Sequence, residues 1–351
     1  MIRAAAGALM LGLAASGAVM AEPKISVLAF SDLANWSDDD HSEALFVFTN
    51  TCGDMPDRDW SNLCALAKTG PEARSFFELF FLPVLIEDGS DPLFTGYFEP
   101  ELSGSRVETA RFRYPIYGVP PDLPTGTAWL TRKEIDDGAL ADRGLELAWL
   151  SDPVELFFLQ VQGSGRIRLQ DGTVMRVGYG NNNGHSYSSI GAEMVARGIY
   201  QPHQVSADVI RSWVSRNPED GRDLLWTNRS YVFFREVSEV PASEGPLGAM
   251  NRSITPLRTV AIDPAIVPLG APVWIEKDGE VPMNRLMIAQ DTGSAIKGAQ
   301  RADIFYGTGT QAGREAGRIR DGGRIVVLMP IQRAYALIPD VLGDASPLAD
   351  G

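Results

Sequence analysis

Three stretches toward the C-terminal end decide how this chain is read: Thr259-Val-Ala-Ile-Asp-Pro264, Leu286-Met-Ile-Ala-Gln-Asp291 and Arg301-Ala-Asp-Ile-Phe-Tyr306. Each is a short apolar run of strand-forming residues that an aspartate ends or interrupts. A single such aspartate caps a turn. Three of them, Asp263, Asp291 and Asp303, recur in similar contexts within one short block, which points to a shared site at strand ends, where a carboxylate is partly buried yet still reaches a ligand.

Working outward, the same texture continues back to Phe94. Gly and Pro recur every few residues, and Phe157–Val161, Tyr231–Phe234, Val273–Ile275, Leu286–Ala289 and Ile325–Met329 read as strands. Short strands with frequent turns suggest barrels rather than a parallel α/β sheet. Helices are expected over Ser189–Arg197 and Ser206–Ser215. From Glu22 to about Pro83 the chain reads helical. Asp38-Asp39-Asp40 stands where acids favour a helix N-terminus, Pro71 suits a first helical position, and Phe76, Leu79 and Phe80 share a face that Pro83 terminates. Boundaries are expected near Ser103–Gly104 and within Pro241–Gly248.

The 351 residues carry 31 basic and 45 acidic side chains, a net charge of −14, which excludes a protein that holds nucleic acid through phosphate contacts. Three His and two Cys exclude a Cys-rich zinc module, and no metal or cofactor site is read. Residues 1–21 have the three parts of a secretory signal: a basic start at Arg3, an apolar stretch from Ala4 to Val19, and Val19-Met20-Ala21 for cleavage. With no Cys beside the cleavage point, a soluble, exported, periplasmic protein without a lipid anchor is expected. In that oxidising compartment Cys52 and Cys64 are expected to pair, in a loop whose closure contributes about 3 kcal/mol.

Other motifs carry less. Asp291-Thr292-Gly293 matches the aspartic-protease signature but occurs once, so it would need a dimer to supply two carboxylates. Gly307-Thr-Gly-Thr-Gln-Ala-Gly313 lacks the βαβ context of a dinucleotide loop and reads as a glycine-rich turn. Gln162-Gly163-Ser164-Gly165 misses the first glycine of a nucleophile elbow.

Taken together, the stretches resemble the membrane-bound lytic transglycosylase A (MltA) family, which cleaves peptidoglycan. The matching residues are Phe94-Thr-Gly-Tyr-Phe-Glu-Pro100, Phe158-Leu-Gln-Val-Gln-Gly-Ser-Gly165, Asn183-Gly-His-Ser-Tyr-Ser-Ser-Ile-Gly191, Ser230-Tyr-Val-Phe-Phe-Arg-Glu236, Ala261-Ile-Asp-Pro-Ala-Ile-Val-Pro-Leu-Gly270, Asp291-Thr-Gly-Ser-Ala-Ile-Lys-Gly298 and Asp303-Ile-Phe-Tyr306. The last groups look like the three-aspartate, or 3D, module.

The resemblance implies a mainly β protein with N-terminal helices. A double-psi β-barrel would be built from residues 22–103 and 246–340, a smaller β-barrel inserted over 104–245, with a tail over 341–351 and a glycan groove between the barrels. It implies cleavage of the β-1,4 bond between N-acetylmuramic acid and N-acetylglucosamine, without cofactor, leaving a 1,6-anhydromuramoyl end.

Carried over residue by residue, the catalytic position falls on Asp303, with Asp291 the competing assignment and Asp291 and Asp263 as supporting carboxylates. Tyr97, Gln162, Ser164 and Lys297 are candidates for lining the groove. Glu99 receives no essential role. The implied partner is a peptidoglycan strand, bound by a monomer, with outer-membrane association left open. A non-catalytic peptidoglycan-binding protein is the alternative.

Overall fold

Asp40 starts the helical layer as the aspartate run suggests: its carboxylate accepts from the N–H groups of Ser42 and Glu43, at 2.9 and 3.4 Å. In a computed structural model that describes residues 23–337, the chain opens with strand β1 (Lys24–Val27), then helices α1 (His41–Thr51), α2 (Arg58–Ala67) and α3 (Ala73–Phe80). The expected leader and the tail over 341–351 lie outside the described residues. A disulfide joins Cys52, just past α1, to Cys64 on α2, with Cα atoms 5.4 Å apart. Phe48, Trp60, Phe76, Phe77 and Phe81 pack together in the core beneath this layer.

Two readings of this region need correction. The first residues are not all helical: β1 pairs antiparallel with β2 (Phe81–Glu87). Pro83 does not end α3. The helix stops at Phe80, and Pro83 sits inside β2 opposite Leu328.

The chain continues through β3 (Leu93–Glu99), passes Pro100 and enters β4 (Glu101–Ser105), β5 (Tyr114–Tyr117), the short α4 (Arg132–Glu134) and β6 (Glu146–Leu150). Helix α5 (Pro153–Gln162), strands β7 (Ser164–Arg168) and β8 (Val174–Asn182), helices α6 (Ile190–Ala196), α7 (Ala207–Arg216) and α8 (Pro218–Thr227), and β9 (Val232–Glu236) follow.

Residues 157–161, expected as a strand, therefore belong to α5. Asp152 caps the helix through Val154 N–H at 2.8 Å, with Pro153 at its first position. Leu156 and Leu159 face the strand core, while Val154 and Phe157 face the helical core. A helix buried on two sides has no polar stripe, so its sequence looks like a buried strand.

The last block holds β10 (Thr259–Ile262), β11 (Pro272–Lys277), β12 (Met283–Thr292), β13 (Arg301–Thr308), α9 (Gly309–Ala316), β14 (Arg320–Asp321), β15 (Gly323–Pro330) and α10 (Ile331–Leu337). The glycine-rich turn expected at 307–313 is not formed: residues 307–308 end β13 and 309–313 open α9, which lies close on β3. A Cβ on Gly96 would stand 2.7 Å from Ala316 Cα, so the close approach requires glycine there.

The strands form two sheets. The first has the order β1-β2-β15-β11-β12-β10-β13-β3-β14 and the second β5-β6-β4-β7-β8-β9. The β10–β12 and β13–β3 pairs are parallel, inside an otherwise antiparallel first sheet. Both ladder orders are open-ended. In the second sheet a single parallel bridge between Gly118, just past β5, and Phe234 of β9 touches the two edges, and among the described residues no continuous ladder closes either sheet into the barrel expected of it.

The sheets meet around Glu99 at the end of β3, a carboxylate with 0% exposure. Arg166 of β7 donates to its Oε2 at 2.9 Å, Arg176 of β8 at 3.3 Å, and Thr308 of β13 at 2.8 Å. Arg176 Nε also stands 2.8 Å from Oε1, a charge contact out of hydrogen-bond alignment. Both arginines reach on to the carbonyl of Glu244, in the segment that returns the chain from β9 to β10.

Removing one partner of a buried ion cluster leaves uncompensated charge, at a cost of about 3–5 kcal/mol. Glu99→Gln is accordingly expected to lower the unfolding free energy by about that much. Urea denaturation of the variant beside the wild type checks it, and a change within about 0.5 kcal/mol would remove Glu99 from this role.

Candidate active site

Ala261 on β10 is the register partner of Asp291 on one side and Asp303 on the other. Thr95 of β3 pairs in turn with Asp303, and Arg320 of β14 with Thr95. Residues opposite one another across a sheet share a face. Asp291, Ala261, Asp303 and Thr95 thus form one row.

The row is strongly curved. Strand β3 is three positions from β12, about 14 Å in a flat sheet, beyond the reach of a tyrosine side chain. Yet the Tyr97 hydroxyl donates to Asp291 Oδ2 at 2.8 Å. The Tyr97 ring rests on Phe305, centroids 5.2 Å apart. Curvature brings β3 over toward β12 without any backbone bond between them, and encloses Asp303 within the bend.

Asp303 Oδ1 accepts from Thr95 Oγ1 at 2.6 Å. Burial pushes this carboxyl up to about 6, against the Thr95 hydrogen bond and the Arg301 charge, with Asp291 adding to the rise. Arg301 is held by the carbonyl of Leu93 at 3.2 Å and donates through Nη2 to Thr95 Oγ1 at 2.9 Å.

Asp291 is also raised by burial, against three donors: Tyr97 and the N–H groups of Ala249 (3.0 Å) and Thr292 (2.9 Å). Three donors suit an acceptor carboxylate, not one sharing a proton with a second acid as a protease dyad does. Burial in turn raises the Tyr97 phenol, reinforced by Asp291, so Tyr97 stays a neutral donor.

Asp263 follows β10 and is committed elsewhere. Its oxygens accept from Gly298 N–H at 3.1 Å and Ala265 N–H at 3.2 Å, with Lys297 Nζ at 3.4 Å. Burial opposes ionisation, but these two N–H groups and Lys297 hold its carboxyl below the usual range. Asp263 ties down the loop that follows Asp291, and the exposed Lys297 pairs with Asp263, outside the row.

Gln162 Oε1 accepts the Phe98 N–H at 2.9 Å, linking the end of α5 to β3. Ser164 is buried at the start of β7, opposite Gly178. Its helix–turn–strand setting reverses the strand–turn–helix of a nucleophile elbow.

The residues sequence reasoning missed are Thr95 and Arg301. Each stands two places before a singled-out residue, Tyr97 and Asp303, on the same strand face, so period-2 spacing was the available signal.

A large cavity lies away from these aspartates. It encloses about 1130 Å³ in the second sheet's half, among Tyr117, Asp136, Trp149 and Trp226. Among the described residues no three metal-ligating side chains converge, and no helix is long and apolar enough to cross a membrane.

The profile of the MltA specific insert domain matches residues 93–235, and that of the 3D domain matches 258–329. The chain is 35% identical over 265 residues to a membrane-bound lytic murein transglycosylase A of Vibrio cholerae, covering 71% of this chain and 69% of that one. The crystal structure of a membrane-bound lytic murein transglycosylase from Agrobacterium tumefaciens superposes with a TM-score of 0.78 at 32% identity, over 89% of this chain and 99% of that one. Escherichia coli MltA with bound chitohexaose gives a TM-score of 0.69 at 30% identity, over 85% and 90%. With both profiles in register on one chain and relatives matched over more than two thirds of their length, this protein belongs to the membrane-bound lytic murein transglycosylase A family.

Proposed function

We propose that this protein is a peptidoglycan lytic transglycosylase that cleaves the β-1,4 bond between N-acetylmuramic acid and N-acetylglucosamine, with Asp303 as its acid and then its base. The observation that carries the reading is the Asp303 carboxyl, pushed up to about 6 by burial at the centre of a curved row of polar side chains. An acid must hold its proton near the working pH, and an ordinary aspartate near 3.9 does not.

The neutral carboxyl protonates the departing glycosidic oxygen as the C1–O bond breaks. The resulting carboxylate takes the proton of the muramoyl C6 hydroxyl as that oxygen closes on C1. This leaves a 1,6-anhydromuramoyl end and restores the acid. The nucleophile belongs to the substrate, so its effective concentration is high and no water needs activation.

A hydrolase needs a second carboxylate for that water. Asp291 already accepts from three donors, Asp263 is tied to a loop, and Glu99 is enclosed by arginines. The glycan strand would run in a groove between the two halves, past Tyr97, with Lys297 at its edge and Gln162 and Ser164 shaping its wall. The relatives' names place them at membranes, and we assign this chain to the exported, periplasmic side of the same cell-wall setting.

Asp303→Asn keeps shape and removes the titrating proton. Loss of about 10²–10⁴-fold in turnover on purified sacculi is expected, with glycan binding retained. Full turnover would transfer the role to Asp291. The same variant makes a stability prediction. The folded pKa of Asp303 lies above its unfolded value, so its contribution is fully present below about 4 and is lost as pH rises through about 6. Above that, the wild type carries a buried charge worth up to about 3 kcal/mol. Asp303→Asn should therefore melt higher than wild type at pH near 8 and gain nothing at pH near 4; an equal gain at both would contradict the assignment.

Digestion in ¹⁸O-water separates the transglycosylase from a hydrolase. Anhydromuramoyl ends of unshifted mass are expected. Labelled reducing-end muramic acid would mean that water is the nucleophile.

A further inference from the structure

We infer that Thr95, oriented by Arg301, is a positioning residue that directs the catalytic proton to the Oδ2 oxygen of Asp303 and holds Oδ1 as a fixed acceptor. The inference rests on the reading of Asp303 as the acid and adds which of its oxygens performs the transfers.

A guanidinium only donates, so the 2.9 Å contact between Arg301 Nη2 and Thr95 Oγ1 makes that oxygen an acceptor. Thr95 has a single hydroxyl proton, and the acceptor within reach of it is Asp303 Oδ1 at 2.6 Å, within the range of an O–H···O hydrogen bond. Were Oδ1 protonated and donating to Thr95 instead, the Thr95 proton would be left without an acceptor in a part-buried site. The chain Arg301→Thr95→Asp303 therefore has one direction, and the acid's own proton resides on Oδ2. Among the described residues Oδ2 accepts from no protein group, so it is the oxygen left for substrate.

The same chain serves both halves of the reaction. When Oδ2 releases its proton to the glycosidic oxygen, charge develops on the carboxylate, and the Thr95 hydrogen bond becomes charge-assisted without any rotation. Oδ2 is then the oxygen that takes the proton from the C6 hydroxyl. Asp303 thus does not flip between the two steps.

The other charged or titratable groups facing Asp303 are Arg301 on its own strand and Asp291 on β12, which Tyr97 of β3 holds; Arg320 of β14 stands beyond Thr95 and repels Arg301. Thr95 is the uncharged member of this set, so replacing it leaves net charge unchanged.

The test compares Thr95→Val with Thr95→Ser. Valine keeps the shape and removes the donor, so turnover should fall about ten- to a hundredfold with KM little changed. Asp303 then loses the bond that favours its charged form. The alkaline limb of the pH profile should move up, on the order of one pH unit. Serine restores the donor and should return both rate and limb to near wild type.

The ¹³C carboxyl shift of Asp303, titrated without substrate, should rise in midpoint for Thr95→Val alone. A merely structural Thr95 would lower the melting temperature and leave that midpoint in place. An unmoved or lowered midpoint overturns the inference, as does a serine variant as impaired as the valine one. Because the carboxyl titration needs no turnover, it reads the Thr95 contact separately from whether Asp303→Asn confirms the acid.

Discussion

A carboxylate with no exposure, Glu99, holds the two sheets in register. It ends β3, the strand that also carries Thr95 and Tyr97, and it is clasped by Arg166 and Arg176 from the second sheet and by Thr308 from the end of β13. Both strands that carry the acid site are thus anchored at one end by the same charge cluster. The arginines also bind the carbonyl of Glu244, so the segment returning to the first sheet is drawn into the junction. Charged groups so enclosed tolerate little displacement, because each ångström of separation exposes an unpaired charge to a poorly polarisable interior.

Three buried or part-buried aspartates behave differently for one physical reason, the balance of donors and cations against lost water. Asp263 has two backbone N–H groups and a lysine, and its carboxyl is held below the usual range. Asp291 has three neutral donors and is raised nonetheless, because burial outweighs them. Asp303 has one hydroxyl and a more distant arginine, and its carboxyl stands at about 6. The least supported carboxylate is the one whose proton is available near neutrality. Similar aspartates in similar sequence contexts diverge only through what the fold places around them.

A second consequence follows from curvature. In a flat sheet Tyr97 and Asp291 would be far apart. Here the bend lets a side chain bridge strands that share no backbone bond, so the first sheet behaves around the site as a cup although its strand order is open.

Much of this was present in the residues. The strands at Tyr231–Phe234, Val273–Ile275, Leu286–Ala289 and Ile325–Met329 and the helices near 190–196 and 207–216 follow from local periodicity and capping, which act over a few residues. The ordered motifs carried the family, and of the three aspartates expected to share a site the fold sets Asp291 and Asp303 in one row and leaves Asp263 outside it. Local rules failed at residues 157–161, where burial on two faces erased the helical stripe, and at Pro83, which a strand accommodates.

What no local rule could supply was partnership. Thr95 meets Asp303 across 208 positions, Tyr97 meets Asp291 across 194, and Glu99 meets Arg166 across 67. Sequence by itself determined the residue types and the strands that bear them. The tertiary structure alone decided which aspartate has its carboxyl held down and which have theirs pushed up, because a pKa is set by burial and by neighbours that only the folded chain brings within a few ångströms.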